Sequence, residues 1–152
     1  MNNKKTPIWS VLSKSVTVGS LDNLLSVFNI IEEIQVDLDK SKLPVEARGK
    51  NVNKFGLGID LVLTVLWERE VNDLIEESLE YKLKFVDPLG VELISQEIKE
   101  IFPSKKRRKR MMHNMNSLVF SEASGRYYFK ILSMKGEELM STPVDVKVTI
   151  KD

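Results

Sequence analysis

Near its C-terminus the chain reads Pro143-Val144-Asp145-Val146-Lys147-Val148-Thr149-Ile150. Apolar and polar residues alternate with period two, the pattern of a strand with one face in a core and the other in water. Val144, Val146, Val148 and Ile150 are expected inside, with Asp145, Lys147 and Thr149 outside. Just upstream, Tyr127, Phe129 and Ile131 alternate with Tyr128, Lys130 and Leu132. Lys135-Gly136-Glu137 can turn one run into the other, so the end of the chain reads as a hairpin.

The same pattern recurs toward the N-terminus. Asp87-Pro88-Leu89-Gly90 is a strong turn signal, because proline presets φ and glycine tolerates conformations that other residues do not. Tyr81, Leu83 and Phe85 lead into this turn. Val91, Leu93 and then Ile94, Ile98 and Phe102 leave it, and the change of phase at Leu93-Ile94 predicts a bulge or bend. Three earlier candidates span Ile8 to Val18, Leu25 to Val36 and Leu57 to Glu68. Phe28, Ile30, Ile34 and Val36 share one parity in the second. Two stretches stay open between helix and loop. One is Leu38 to Asn53, with Pro44 and Gly49. The other is the acidic segment Glu68 to Glu80, in which Val71, Leu74 and Ile75 approach helical spacing. The expectation is one all-β domain over residues 1–152, an antiparallel sandwich of about seven or eight strands, Ig-like or C2-like, with room for one short helix.

These features, taken in order, resemble an uncharacterised family of small bacterial β-sandwich proteins. The resemblance rests on an opening strand, a Leu24 to Ile34 segment of the type LLSVFNIIEEI and a strand ending at Leu66-Trp67-Glu68-Arg69. It continues through the Asp87 to Gly90 turn, the Gly125 to Ile131 strand and the closing Pro143 to Val148 strand. It covers nearly the whole chain and implies the fold. It implies no activity, and the run at 105–110 is not part of its pattern.

Composition excludes several chemistries. The 152 residues are 42% hydrophobic and 30% charged, as in ordinary globular domains. No cysteine is present, which removes disulfides, thiolate nucleophiles and cysteine-ligated metals. His113 is the single histidine, so histidine-based acid–base chemistry would have to run through it, and no nucleophile elbow accompanies it. Glu32-Glu33, Asp37-x-Asp39 and Glu76-Glu77 lack the spacing of a two-carboxylate or calcium site. Gly56-x-Gly58 lacks the third glycine of a dinucleotide loop. The reading is therefore of a non-enzyme with no cofactor, no metal and no small-molecule substrate. No secretory signal or apolar span of ~18 residues is visible, so a soluble cytoplasmic protein without a membrane span is expected.

One electrostatic feature stands out. Lys105, Lys106, Arg107, Arg108, Lys109 and Arg110 are consecutive, and they leave 17 basic against 22 acidic residues elsewhere. A strand with one buried face cannot hold six cations in a row, because half of them would enter the core. The run is expected in an exposed loop, at an edge, or at the projecting end of a hairpin. It is either a solvated guard against edge aggregation or a site for an anionic partner. The favoured function is a non-enzymatic protein-interaction module, through a protein partner or self-association. The alternative is a nucleic-acid-associated protein using 105–110. Met111, Met112 and Met115, which follow, are either a soft docking surface or core.

Overall fold

The structure, a computed structural model, describes residues 4–20, 24–39, 41, 54–70 and 75–151. Among these residues nine strands form two sheets packed face to face: β1 (Lys5–Val18), β2 (Leu25–Ile30), β3 (Glu33–Asp39), β4 (Lys54–Arg69), β5 (Glu77–Val86), β6 (Glu92–Phe102), β7 (Arg108–Ser121), β8 (Gly125–Leu132) and β9 (Glu138–Lys151). One sheet has the order β2-β1-β4-β7 and the other β3-β9-β8-β5-β6. The protein is thus a β-sandwich, as the alternation predicts.

The C-terminal hairpin forms as read. Tyr127, Phe129 and Ile131 of β8 and Val144 and Val146 of β9 are buried, and Arg126 pairs with Asp145 on the outside. Gly136 makes the connecting turn at φ +90°. The Asp87–Gly90 turn also forms. The Asp87 carboxylate accepts hydrogen bonds from the backbone N–H of Leu89 at 2.9 Å and of Val91 at 2.8 Å. Opposite it the register slips: Phe85 faces Ile94 but Val86 faces Glu92. Leu93 is the extra residue, which accounts for the phase change in the sequence.

Three expectations need correction. The candidate strand Leu25 to Val36 is two strands, β2 and β3, in different sheets. Asn29 at φ +54° marks the break, a conformation that asparagine tolerates better than most residues. This split raises the count to nine, and it turns Phe28 and Ile30 outward while Ile34 and Val36 enter the core. The sandwich is also not purely antiparallel, since β3 pairs with β9 in parallel. Lastly, β4 extends to Arg69 and β5 begins at Glu77, so the ends of the acidic segment are strand. Residues 71–74, and most of Leu38 to Asn53, lie outside the described residues, among which no helix occurs.

The core is one cluster drawn from both sheets. Phe85 is its hub, stacked on Phe129 at 4.5 Å and close to Tyr127 and Phe120 at 5.4 and 5.9 Å. Tyr127 closes the β7–β8 corner. Its hydroxyl donates to the Ala123 carbonyl at 2.6 Å and meets Ser121 Oγ at 3.0 Å, an arrangement recurrent at sandwich corners. Gly125, beside it, sits at φ +144°, and a Cβ there would lie 3.0 Å from Pro88.

Candidate interaction site

The basic run divides between a turn and a strand. Lys105, Lys106 and Arg107 belong to the crossing from β6, on the edge of the five-stranded sheet, to β7, on the edge of the four-stranded sheet. Arg108, Lys109 and Arg110 open β7 itself. Both settings match the expectation of a loop or an edge. The cost of three cations in a strand is avoided because they occupy the end of an edge strand, where Arg108 is exposed and Lys109 and Arg110 are half-buried.

What holds this turn is a residue the sequence reading left unremarked. Arg69, at the end of β4, is 0% exposed. Its Nε donates to the Lys106 carbonyl at 2.8 Å and its Nη2 to the Pro103 carbonyl at 2.9 Å. Nη1 bonds the Ile75 carbonyl and lies 3.3 Å from Glu77 Oε2. The guanidinium covers the Phe102 ring at 4.8 Å, and Lys5 Nζ approaches Glu77 at 3.5 Å. A buried arginine needs such saturation, since unpaired charge in a core is costly. The planar fork reaches several carbonyls at once, which a lysine cannot do. Arg69 thus pins both ends of the basic turn to the body of the sandwich.

The cations differ in their partners. Arg107 and Arg108 reach Glu68 at 2.7 and 3.5 Å. Lys109 bonds the Ile101 carbonyl and lies 3.5 Å from Glu100. Acidic Glu68 is therefore matched to the basic run within one chain. Lys105 and Lys106 are exposed and meet no carboxylate among the described residues. Lys105 stands at φ +61°, at the tip of the turn.

The outward face of the four-stranded sheet carries a run of apolar side chains among polar ones. Directly paired residues of neighbouring strands share a face. Trp9–Leu66–Arg110, Val11–Thr64–Met112 and Ser13–Val62–Asn114 are three such rows, and Ile30 continues the third onto β2. The intervening rows, such as Leu12–Leu63–His113, face the core. Trp9, Phe28, Ile30 and Met112 of the outward face are 36, 48, 62 and 41% exposed, while Thr64 and Val62 in its middle are buried. Outer faces of antiparallel sandwich sheets are ordinarily polar. The signal was in the sequence: Leu61 to Trp67 has no alternation, as expected when both faces of a strand are covered. Trp9 and Phe28 are thus aromatics on the surface rather than in the core.

Beside β7 the sandwich is open. A cleft of about 470 Å3 separates Ile94 and Gln96 of β6 from His113 and Met115 of β7, with Phe85 and Phe129 among its lining residues. His113 Nε2 is 2.8 Å from the hydroxyl of buried Tyr81. Burial pushes the His113 pKa down, against the opposing pull of Glu100, and burial also raises that of Tyr81. Trp67 packs against the Tyr81 ring at 4.8 Å. Met111 is core, while Met112, on the outward face, and Met115 both border the cleft. Among the described residues no group of three or more His, Asp or Glu could hold a metal, and no helix is long and apolar enough to cross a membrane.

Comparison with known proteins adds little beyond this geometry. No family model matches the chain, and no curated protein matches it. Among solved structures, an immunoglobulin-like protein from Pseudomonas aeruginosa is similar over 95% of this chain and 97% of its own, at 10% identity and a TM-score of 0.40.

Proposed function

We propose that the chain is a non-enzymatic protein-interaction module whose four-stranded sheet and basic turn together dock on an acidic protein surface. The observation that supports this most is the continuity of the two features. Arg110 lies in the same outward row as Leu66 and Trp9, so the apolar face runs directly into the cationic end of β7. Apolar contact supplies affinity, and exposed cations at the rim set orientation and encounter rate. Arg107 and Arg108 share Glu68, so the net charge offered falls mostly to Lys105 and Lys106.

The alternative, a nucleic-acid-associated protein, draws on the same two lysines. It is less favoured, because half of the run is engaged by Glu68 or Glu100 and the exposed aromatics Trp9 and Phe28 are not interleaved with the cations. Two measurements separate the readings. Anisotropy of labelled DNA and RNA oligomers at two salt concentrations should show no binding that depends on 105–110. Affinity capture with wild type, a Trp9→Ser/Phe28→Ser variant and a Lys105→Glu/Lys106→Glu variant should retain a protein on wild type and lose it on both variants. Steep salt-dependent nucleic-acid binding abolished by Lys105→Glu/Lys106→Glu would replace the protein-docking reading with the alternative.

A further inference from the structure

Edge strands expose unpaired backbone N–H and C=O groups, and proteins usually guard them with charge, proline or a kink. Three of the four edges here are guarded. β3 carries Glu33, Asp37 and Asp39, and β6 carries Glu92, Glu97, Lys99 and Glu100. β2 is only six residues long and is kinked at Asn29, φ +54°. β7 differs: its charges stop at Arg110, and Met111-Met112-His113-Asn114-Met115-Asn116-Ser117 contains neither a formal charge at neutral pH nor a proline. Burial pushes the His113 pKa down, which favours its neutral form.

This bare stretch also borders the open cleft. Near the turn the two sheets are tied together by Lys109 on the Ile101 carbonyl and by Tyr81 on His113. Further along, Met115 and Ser117 face Ile94 and Gln96 across the gap, and core side chains Leu83, Phe85 and Phe129 line it. A strand laid against β7 could satisfy the edge and send every second side chain into that space.

We propose that residues 111–117 of β7 accept an extended peptide as a fifth strand, antiparallel to β7, with alternate apolar side chains in the cleft and an acidic C-terminal end at Lys105 and Lys106. This deepens the interaction reading and rests on it. The polarity follows from charge and chain direction. Antiparallel pairing is the more stable mode and sets the peptide's C-terminal end beside the start of β7, where the basic turn stands. The cleft itself holds no uncompensated charge, because Lys84 pairs with Glu92, so the inserted side chains should be neutral and apolar.

The test titrates wild type with fluorescein-labelled Val-Thr-Val-Thr-Val-Thr-Val-Asp-Glu, whose seven alternating residues cover 111–117 and whose acidic end runs on toward the basic turn, its reversed sequence, and a form N-methylated at alternate residues. The expected result is binding of the first peptide, weakened at least about tenfold by N-methylation, which removes backbone donors without changing side chains. Reversal and Lys105→Glu/Lys106→Glu should each weaken it several-fold. Amide exchange at 111–117 should slow in the complex, and Met115→Lys should block binding by placing a charge in the cleft. The N-methylated peptide keeps the test decisive if that variant does not fold. No binding, equal binding of the N-methylated form, or a concentration-dependent dimer whose 111–117 amides are already protected would each overturn the proposal. Trp9→Ser/Phe28→Ser is assayed beside wild type, because protein capture by the outward face depends on those two side chains. Loss of protein capture by that variant, with peptide binding absent, would sink strand addition and spare the docking face.

Discussion

Replacing Arg69 by methionine should destabilise the whole domain and loosen the basic turn first. Arg69 is fully buried and makes hydrogen bonds to three carbonyls and one carboxylate, from residues on both sides of the β4–β5 and β6–β7 connections. Methionine matches much of the length and loses all of the donors. The carbonyls of Lys106 and Pro103 would be left without the arginine, and Glu77 would keep Lys5 at 3.5 Å. Breaking a buried ion pair by removing one partner costs ~3–5 kcal/mol. The remaining Lys5 argues for the lower end, about 3 kcal/mol, against a total of ~5–15 kcal/mol for a domain of this kind. Arg69→Lys keeps the charge but not the fork, and should lose less while still freeing the turn. Urea unfolding followed by tryptophan fluorescence gives the size, since Trp67 is buried near the clamp and reports its collapse. Trypsin should nick Arg69→Lys between 105 and 108 faster than wild type, at protein concentrations where both remain folded. An Arg69→Met midpoint shift worth less than about 1 kcal/mol would refute the clamp, because it would show the buried guanidinium to be replaceable by packing alone.

Three further outcomes follow from the same geometry. His113 has its pKa lowered by burial, so the folded state binds its proton less readily than the unfolded one. Stability should therefore fall as pH drops through ~6.5 toward the lower folded value, and His113→Gln should lack that component. Because it is the single histidine, its NMR titration needs no assignment, and a midpoint at or above the unfolded value would contradict the burial argument. Gly125→Ala should cost ~1–3 kcal/mol in chemical denaturation, because φ is +144° and the new Cβ would meet Pro88 at 3.0 Å; a neutral result would mean the β7–β8 corner relaxes freely. Asp87→Ala should cost ~1–3 kcal/mol by leaving the Leu89 and Val91 amides without their acceptor, and an unchanged urea midpoint would show that water replaces the carboxylate.

Much of the fold could be read from period two, and the failures have one cause. Alternation identifies a strand only where one face is buried and the other wet. It worked for β5, β8 and β9, whose inward residues Tyr81, Phe85, Tyr127, Phe129, Val144 and Val146 are core. It failed at Leu25 to Val36, because β2 has an apolar outward side and parity runs on through Ile30 to Ile34 while the chain changes sheets. The same apolar surface hid the outward face of the four-stranded sheet: an exposed Phe28 looks like core when exposure cannot be seen. The basic run was legible as exposed, since no sandwich could bury it. Its anchor was not, because Arg69 reads as one more charge at a strand end until the turn, Phe102 and Glu77 are brought around it.

The two ends of β7 are then complementary rather than contradictory. A bare edge strand invites pairing with any extended chain, and six cations at its start repel basic ones and slow self-association with a like-charged copy approaching in parallel. Antiparallel self-pairing is not blocked by that charge, because it would set each basic run against the uncharged Leu118-Val119-Phe120 end of the other β7. Selectivity for a foreign peptide over a second copy must then come from the cleft. In a β7–β7 pair the inward residues supplied would again be methionine and His113, and the imidazole would lose its Tyr81 partner or remain turned away from the gap. A peptide with valines at alternate positions carries no such polar group into the space between the sheets, and this difference favours it over a second copy.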